Sequence, residues 1–305
     1  MPINVRIVAA LCFMAPVAWT QAPRAGPLVL LLPASTRATG LGDAFVALRD
    51  DAAIFYNPAL INPTTNGLYG TFVRYASNGT MGVLSNAVAV GTLNLGWGVE
   101  VLEFKARGDA AYPFAPMDVV RAGSRDALSL AAAVGANTTV KGFKAGVGMK
   151  YAEDRVDGLL GASGVTPPLR KGVLLGDAGL SHPFMSGTAA LAVQNMGDDS
   201  RIPLPIQTTL GWTRGLNTSQ LDFVFAAEVS ERNNWMGGGG GAEVGYGWIE
   251  GWSAALRAGL RRTETSAQRP LSVGGTLNAD HLALDYALEF FEHSGYAHHL
   301  SLRWR

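Results

Sequence analysis

The sequence predicts an all-β membrane barrel of about 14 antiparallel strands, with an N-terminal short-helical plug segment in the lumen. Three observations carry that expectation. The chain is apolar behind a secretory leader yet has no run long enough for a spanning helix, it alternates large and small residues in segments of about ten, and its short and long connections take turns.

The leader comes first. Arg6 supplies a positive start, residues 7–19 an apolar stretch, and Thr20, Gln21 and Ala22 a small-residue exit, the pattern of a cleaved signal peptide over 1–22. That run is shorter than the ~20 residues of a spanning helix, and the next best, 28–32, is far shorter. The single cysteine, Cys12, falls in the leader, so a mature chain would have no thiol for a disulfide or a metal, and no cofactor is expected. Basic and acidic residues balance at 24 each, which gives nucleic acid no handle. The charged fraction, 16%, lies below the roughly 25% of a soluble domain. An exported chain of this kind can cross a membrane as a closed barrel, which places it among lipid in a bacterial outer membrane.

The plug segment, 28–62, does not share the pattern of the rest. Leu41, Ala44, Phe45 and Leu48 recur at helical spacing and predict a short helix with one apolar stripe. Asp50 and Asp51 are placed to cap a second helical turn over 52–55, and Asn57 before Pro58 ends it. Both pieces are too short to stand alone and need a wall to pack against.

The barrel is expected over 67–305. In residues 281–290, Leu282, Leu284, Tyr286, Leu288 and Phe290 share one face and His281, Ala283, Asp285, Ala287 and Glu289 the other. Leu300, Leu302 and Trp304 likewise oppose His299, Ser301, Arg303 and Arg305, and the same alternation recurs from Leu93, Phe143, Leu221 and Ala254. Strands are expected near 67–76, 80–90, 93–105, 125–136, 139–153, 171–182, 187–196, 205–215, 219–231, 239–250, 252–263, 269–278, 281–292 and 295–305. Ten residues at a ~45° tilt cover ~23 Å of height, which fits an apolar band of ~25 Å. Connections after every second strand are short, whereas 106–124, 154–170, 197–204 and 232–238 are longer. That parity places both chain termini on the periplasmic side and the longer loops outside. Small residues prevail on the inner face, as a narrow or filled lumen requires.

The opening block, LLLPASTRATGLGDAFVALRDDAAIFYNPALI, resembles that of the PorV/PorQ family of outer-membrane proteins, itself related to the FadL-like long-chain fatty-acid transporters. Similar pieces follow at LAVQNMGDDSRIPLPIQTTLGWTRG, SAALRAGLRR and LALDYALEFFEHSGYAHHLSLRWR, so the resemblance spans 28–305. Arg37, Gly40, Gly42, Asp43 and Ala44 fall in the R-A-x-G-x-G-x-A run, Asp50 and Asp51 match the paired acids, and Asn57, Pro58 and Ala59 the N-P-A turn. Leu60 stands where a glycine is usual, and Arg305 follows the terminal aromatic Trp304. The family implies fourteen strands around an inserted N-terminal segment.

Catalysis has little support. No nucleophile elbow or metal-ligand spacing is present, so the chain does not read as an enzyme. The glycine run 237–241 lacks the Lys and Ser/Thr of a phosphate loop and reads as an external hairpin. Asp50 with Asp51 could hold a cation, but capping is the simpler role. Asn78, Asn137 and Asn217 head N-x-S/T triplets placed in turns. Six charges, Lys144, Lys150, Arg257, Asp285, Glu289 and Arg303, project inward on this register. They are expected to pair with one another or with Arg37, Arg49, Asp50 and Asp51 of the plug, in preference to lining a polar path. Two functional classes follow from the resemblance. PorV-like, the reading that the closeness of the opening block favours, the barrel is an accessory of type IX-like protein export, its loops binding a secreted cargo protein or a translocon component. FadL-like, it is a passive channel for small hydrophobic molecules, gated by the plug. Exposed apolar loop residues, Tyr112, Phe114, Met117, Leu159 and Leu160, would suit either partner.

Overall fold

Alternation becomes wall wherever it occurs in the computed structural model, which describes residues 26–304 except 64–66, 77–78, 107–124, 158, 162–163, 167–168, 199–202, 264–267 and 292–294. In chain order the strands are β1 (Leu68–Arg74), β2 (Thr80–Val90), β3 (Leu93–Ala106), β4 (Arg125–Val140) and β5 (Phe143–Val156). Two short strands, β6 (Leu159–Gly161) and β7 (Gly164–Thr166), pair only with each other. The wall resumes with β8 (Leu169–Phe184), β9 (Gly187–Met196), β10 (Gln207–Asn217), β11 (Leu221–Arg232) and β12 (Trp235–Ile249). It ends with β13 (Trp252–Arg261), β14 (Gln268–Ala279), β15 (Leu282–Phe291) and β16 (Tyr296–Trp304). Leaving out the β6–β7 ribbon, fourteen antiparallel strands close on themselves, because β1 pairs with β2 on one side and with β16 on the other. Closure leaves no open edge, the condition for a sheet in hydrocarbon.

The two faces differ as the pleat requires. On β13, Leu256 is 75% exposed while the next residue, Arg257, is 5% exposed. Outward positions carry Leu, Val, Phe and Met, with Trp248, Trp252, Trp304 and Tyr296 near strand ends, where amphipathic rings suit an interface. The core is therefore the lumen.

One end of the barrel is closed by tight connections. Lys141 and Gly142 (φ 49° and 84°) link β4 to β5, and Met185 with Ser186 links β8 to β9, with the left-handed geometry that suits the twist of a hairpin. Ala106, Val156 and Met196, where β3, β5 and β9 end ahead of the longer connections, lie at the other end.

Three expectations need correction here. The loop placed at 232–238 is a two-residue turn, Asn233–Asn234 (φ 50° and 65°), because asparagine tolerates the left-handed region. The glycine run after it is not an external hairpin but part of β12. Asn137 is not in a turn either; it lies within β4, buried and facing inward.

The plug differs too. Its one α-helix, α1 (Thr36–Gly40), precedes the predicted stripe and is capped by Ser35, whose hydroxyl accepts from Ala38 N at 3.3 Å. Gly42 and Asp43 (φ 66° and 61°) then turn the chain away, so Leu41, Ala44, Phe45 and Leu48 are buried without being helical. Wall surrounds them, and no single stripe is needed. The second piece is a 3₁₀ turn, Ala53–Phe55, with Asp50 Oδ1 accepting from Ala52 N at 3.3 Å. Asn57 does end it, and caps the next 3₁₀ turn, Pro58–Leu60, by accepting from Ala59 N at 3.0 Å.

Candidate functional site

The segment ahead of β1 runs the length of the lumen. Gly26 N donates to Pro203 O in the β9–β10 connection, at the long-loop end, and Leu28 N donates to Asp154 Oδ1 at 3.2 Å near the same end of β5. Asn137 Nδ2 donates to Pro58 O (2.9 Å) and Ile61 O (2.8 Å) close to the short-turn end. Gly26, the first described residue, and Trp304 thus lie at opposite ends of the barrel.

Glycines let the two backbones meet. A Cβ on Gly241 would lie 2.7 Å from Leu41 Cα, one on Gly239 would strike Gly42 O, and one on Gly259 would strike Gly42 N. Gly146 and Gly179 leave the same room for Pro58, Ala59 and Asn57, and Gly135 for Ile54. Gly40 has no Cβ for a different reason: it would press 2.6 Å from Arg257 Cδ. Ala44 and Ala59 are buried.

Charges tie the same segment down. Arg37 meets Glu243 at 2.8 Å and Asp50 at 3.7 Å; Arg257 meets Glu243 at 3.0 Å and Asp285 at 3.1 Å. Arg303 closes the ring on Asp51 (2.5 Å), Asp50 (3.5 Å) and Asp285 (3.8 Å). Burial alone would lower the Arg37 pKa, but Glu243 and Asp50 outweigh it and hold the value above the ordinary one. A second group joins Asp43 to Arg261, Arg261 to Glu289, and Glu289 to His299 at 2.9 Å. Glu228 accepts from the backbone N–H of Phe45 (2.7 Å) and Val46 (3.0 Å). Asp50 and Asp51 are therefore answered by arginines rather than placed to hold a cation.

Lys150 pairs with Asp177 at 2.8 Å on the wall itself. Lys144 is half-buried on the inner face, with no ion-pair partner among the described residues. Arg49 departs from expectation: it is exposed and joins no ion pair among them. Tyr112, Phe114 and Met117 lie outside the described residues; Leu159 and Leu160 lie on β6, and their side chains lie outside them too.

Glu243, Arg261, Glu228 and Asn137 were missed by sequence reasoning. Glu228 and Arg261 sit at inward positions that extending the alternation along β11 and β13 reaches, whereas Glu243 lies on β12, where the glycine run hid the alternation. Asn137 had no such signal, because its strand was expected to end at 136, four residues before Val140.

Against the stopper, toward the long-loop end, lies a cavity of about 150 Å³. Leu30, Leu31, Val46, Phe55 and Tyr56 of the segment give it an apolar side, and Glu100, Lys150, Gln207, Glu228 and Arg262 of the wall region a polar one.

Solved structures share this architecture. A Pseudomonas aeruginosa FadL homologue matches at 10% identity, covering 93% of this chain and 99% of its own, with a TM-score of 0.52. A CymD monoaromatic hydrocarbon channel matches at 11% identity over 92% and 97% of the two chains, TM-score 0.56. The Pseudomonas putida toluene transporter TodX matches at 10% over 87% and 95%, TM-score 0.50. No family profile and no curated protein matches the sequence. The chain shares the closed fourteen-strand barrel fold of these FadL-like proteins.

Proposed function

We propose that this protein is a passive outer-membrane channel for small hydrophobic molecules, with residues 26–63 as its stopper. The observation that carries the reading is the filled lumen: a segment held by contacts to the wall, lining a cavity with one apolar side, in a fold shared with channels named for toluene and monoaromatic hydrocarbons. The neighbours are transport proteins and not enzymes, in keeping with a chain that binds and passes solutes. A filled lumen passes solute only if the stopper shifts, and most of its anchors are hydrogen bonds and ion pairs that can exchange for water.

Toluene uptake into proteoliposomes tests the reading. Uptake above the lipid-only rate, abolished when an engineered disulfide fixes the stopper to β12, is expected. Uptake equal to lipid alone overturns it. The PorV-like reading, in which the barrel serves protein export, rested on the likeness of the opening block 28–61 to that family, while most of the loop residues that suited either reading lie outside the described ones. Capture of a secreted protein or translocon component by crosslinking in native membranes, without solute uptake, would restore it.

A further inference from the structure

Glu100 faces the cavity and, among the described residues, takes neither a hydrogen bond nor an ion pair. It is 3% exposed, on β3, and its register partners are Val83 of β2 and Ala131 of β4, both buried and apolar. Along its own strand the inward neighbours are Gly98 and Leu102. Lys150, which lines the cavity with it and attracts it from beyond ion-pair distance, gives its ammonium to Asp177 at 2.8 Å and to Asn195 at 3.3 Å. Glu100 makes no hydrogen bond or ion pair among the described residues. A buried carboxylate without a donor costs several kcal/mol, so the group is placed to receive one from whatever fills the cavity.

We propose that the cavity binds a small aromatic or aliphatic amine, its ammonium on Glu100 and its apolar body against Phe55 and the Leu30–Leu31 edge of the stopper. Phe55 is at the right place: a Cβ on Gly98, two residues from Glu100 on the same face, would lie 2.8 Å from Phe55 Cε2. The volume, about 150 Å³, is that of cavities that accept a single benzene-sized ring. An anionic ligand would look instead to Arg232 and Arg262, which line the cavity and sit 5.6 and 5.5 Å from the Trp235 ring centre. They belong to the β11–β13 side, away from the apolar wall around Glu100.

The inference deepens the channel reading and rests on it for the solute's route, but binding is measured separately. Titrations of the detergent-purified full chain with benzylamine, toluene and benzoate supply the test. Benzylamine is expected to bind at least about ten-fold more tightly than toluene, and Glu100→Gln to erase that preference with toluene affinity unchanged. Equal affinity for the two, a preference that survives Glu100→Gln, or preference for benzoate each overturns the proposal. Glu100→Gln is near in shape and removes a buried charge, so it is expected to fold; heat-modifiable migration on a gel checks that. If benzylamine binds through Glu100 but no solute enters proteoliposomes, the site stands and the channel reading falls. If toluene enters and Glu100→Gln changes nothing, the reverse holds.

Discussion

Gly42 of the stopper lies backbone to backbone against Gly239 of β12, its carbonyl oxygen in the space a Gly239 side chain would need. The neighbouring Gly240 faces the other way, and its added Cβ would meet nothing closer than Ala226 O at 3.4 Å. Gly239→Ala is therefore expected to destabilise by about 1–3 kcal/mol through overpacking, while Gly240→Ala stays near neutral. Thermal unfolding in detergent compares the two; equal effects would mean that the stopper does not lean on β12.

Arg303 reaches Asp50, Asp51 and Asp285 together. Arg303→Met leaves buried carboxylates short of a partner, and a loss of about 3–5 kcal/mol is expected. Adding Asp51→Asn should recover part of that loss, because the two residues share one interaction. Denaturant unfolding of the two single variants and the double variant measures the coupling, and strict additivity would argue against the ring.

Asn137 holds two carbonyls of the stopper, Pro58 O and Ile61 O, and its own Oδ1 accepts from Asn94 Nδ2 at 2.8 Å. Asn137→Ala orphans both, at about 1–3 kcal/mol. The local readout is hydrogen exchange at Leu60 and Ile61, whose amides bond to Asn57 O and Pro58 O within the same turn. Exchange there should quicken while the amides of β13 stay protected. Unchanged exchange at both amides would show that the turn needs no wall.

Architecture was legible in the sequence because a barrel writes itself twice, in the two-residue pleat and in the turn chemistry. Every large outward residue singled out on β3, β5, β13, β15 and β16 faces outward in the structure. The failures share one cause. A stopper packed on all sides by wall needs no stripe, so the spacing of Leu41, Ala44, Phe45 and Leu48 imitated a helix that wall contacts and the left-handed Gly42–Asp43 pair forbid. The glycine run 237–241 was read as a loop for its composition, when the absent side chains make room for another backbone. That room depends on a contact between residues almost two hundred positions apart, which local pattern does not contain. The charge ring was half legible: inward parity placed Arg257, Asp285 and Arg303, but which stopper residue meets which wall residue is set by the three-dimensional path.

Tyr56 supplies a pH test of how firmly the stopper is seated. Ser35 N–H donates to its hydroxyl at 3.0 Å, its ring lies 4.7 Å from that of Phe45, and burial, with the Asp43 charge adding to it, holds its pKa well above the ordinary tyrosine value. The folded pKa is raised relative to the unfolded one near 10, so the stabilisation is complete below pH ~10 and is lost as pH climbs toward the folded value, by about 1.4 kcal/mol per unit. Tyr56→Phe lacks this term and also loses the acceptor for Ser35 N–H, about 1 kcal/mol. Near pH 8 the wild type should be the more stable by roughly that amount. Above pH ~10 the advantage should shrink and then reverse, because only the wild type must keep a buried phenol protonated. Unfolding free energies of both proteins between pH 8 and 12 decide it. A difference that stays constant across that range would mean the phenol ionises as freely in the folded chain as in the unfolded one, and that the stopper admits water at Tyr56.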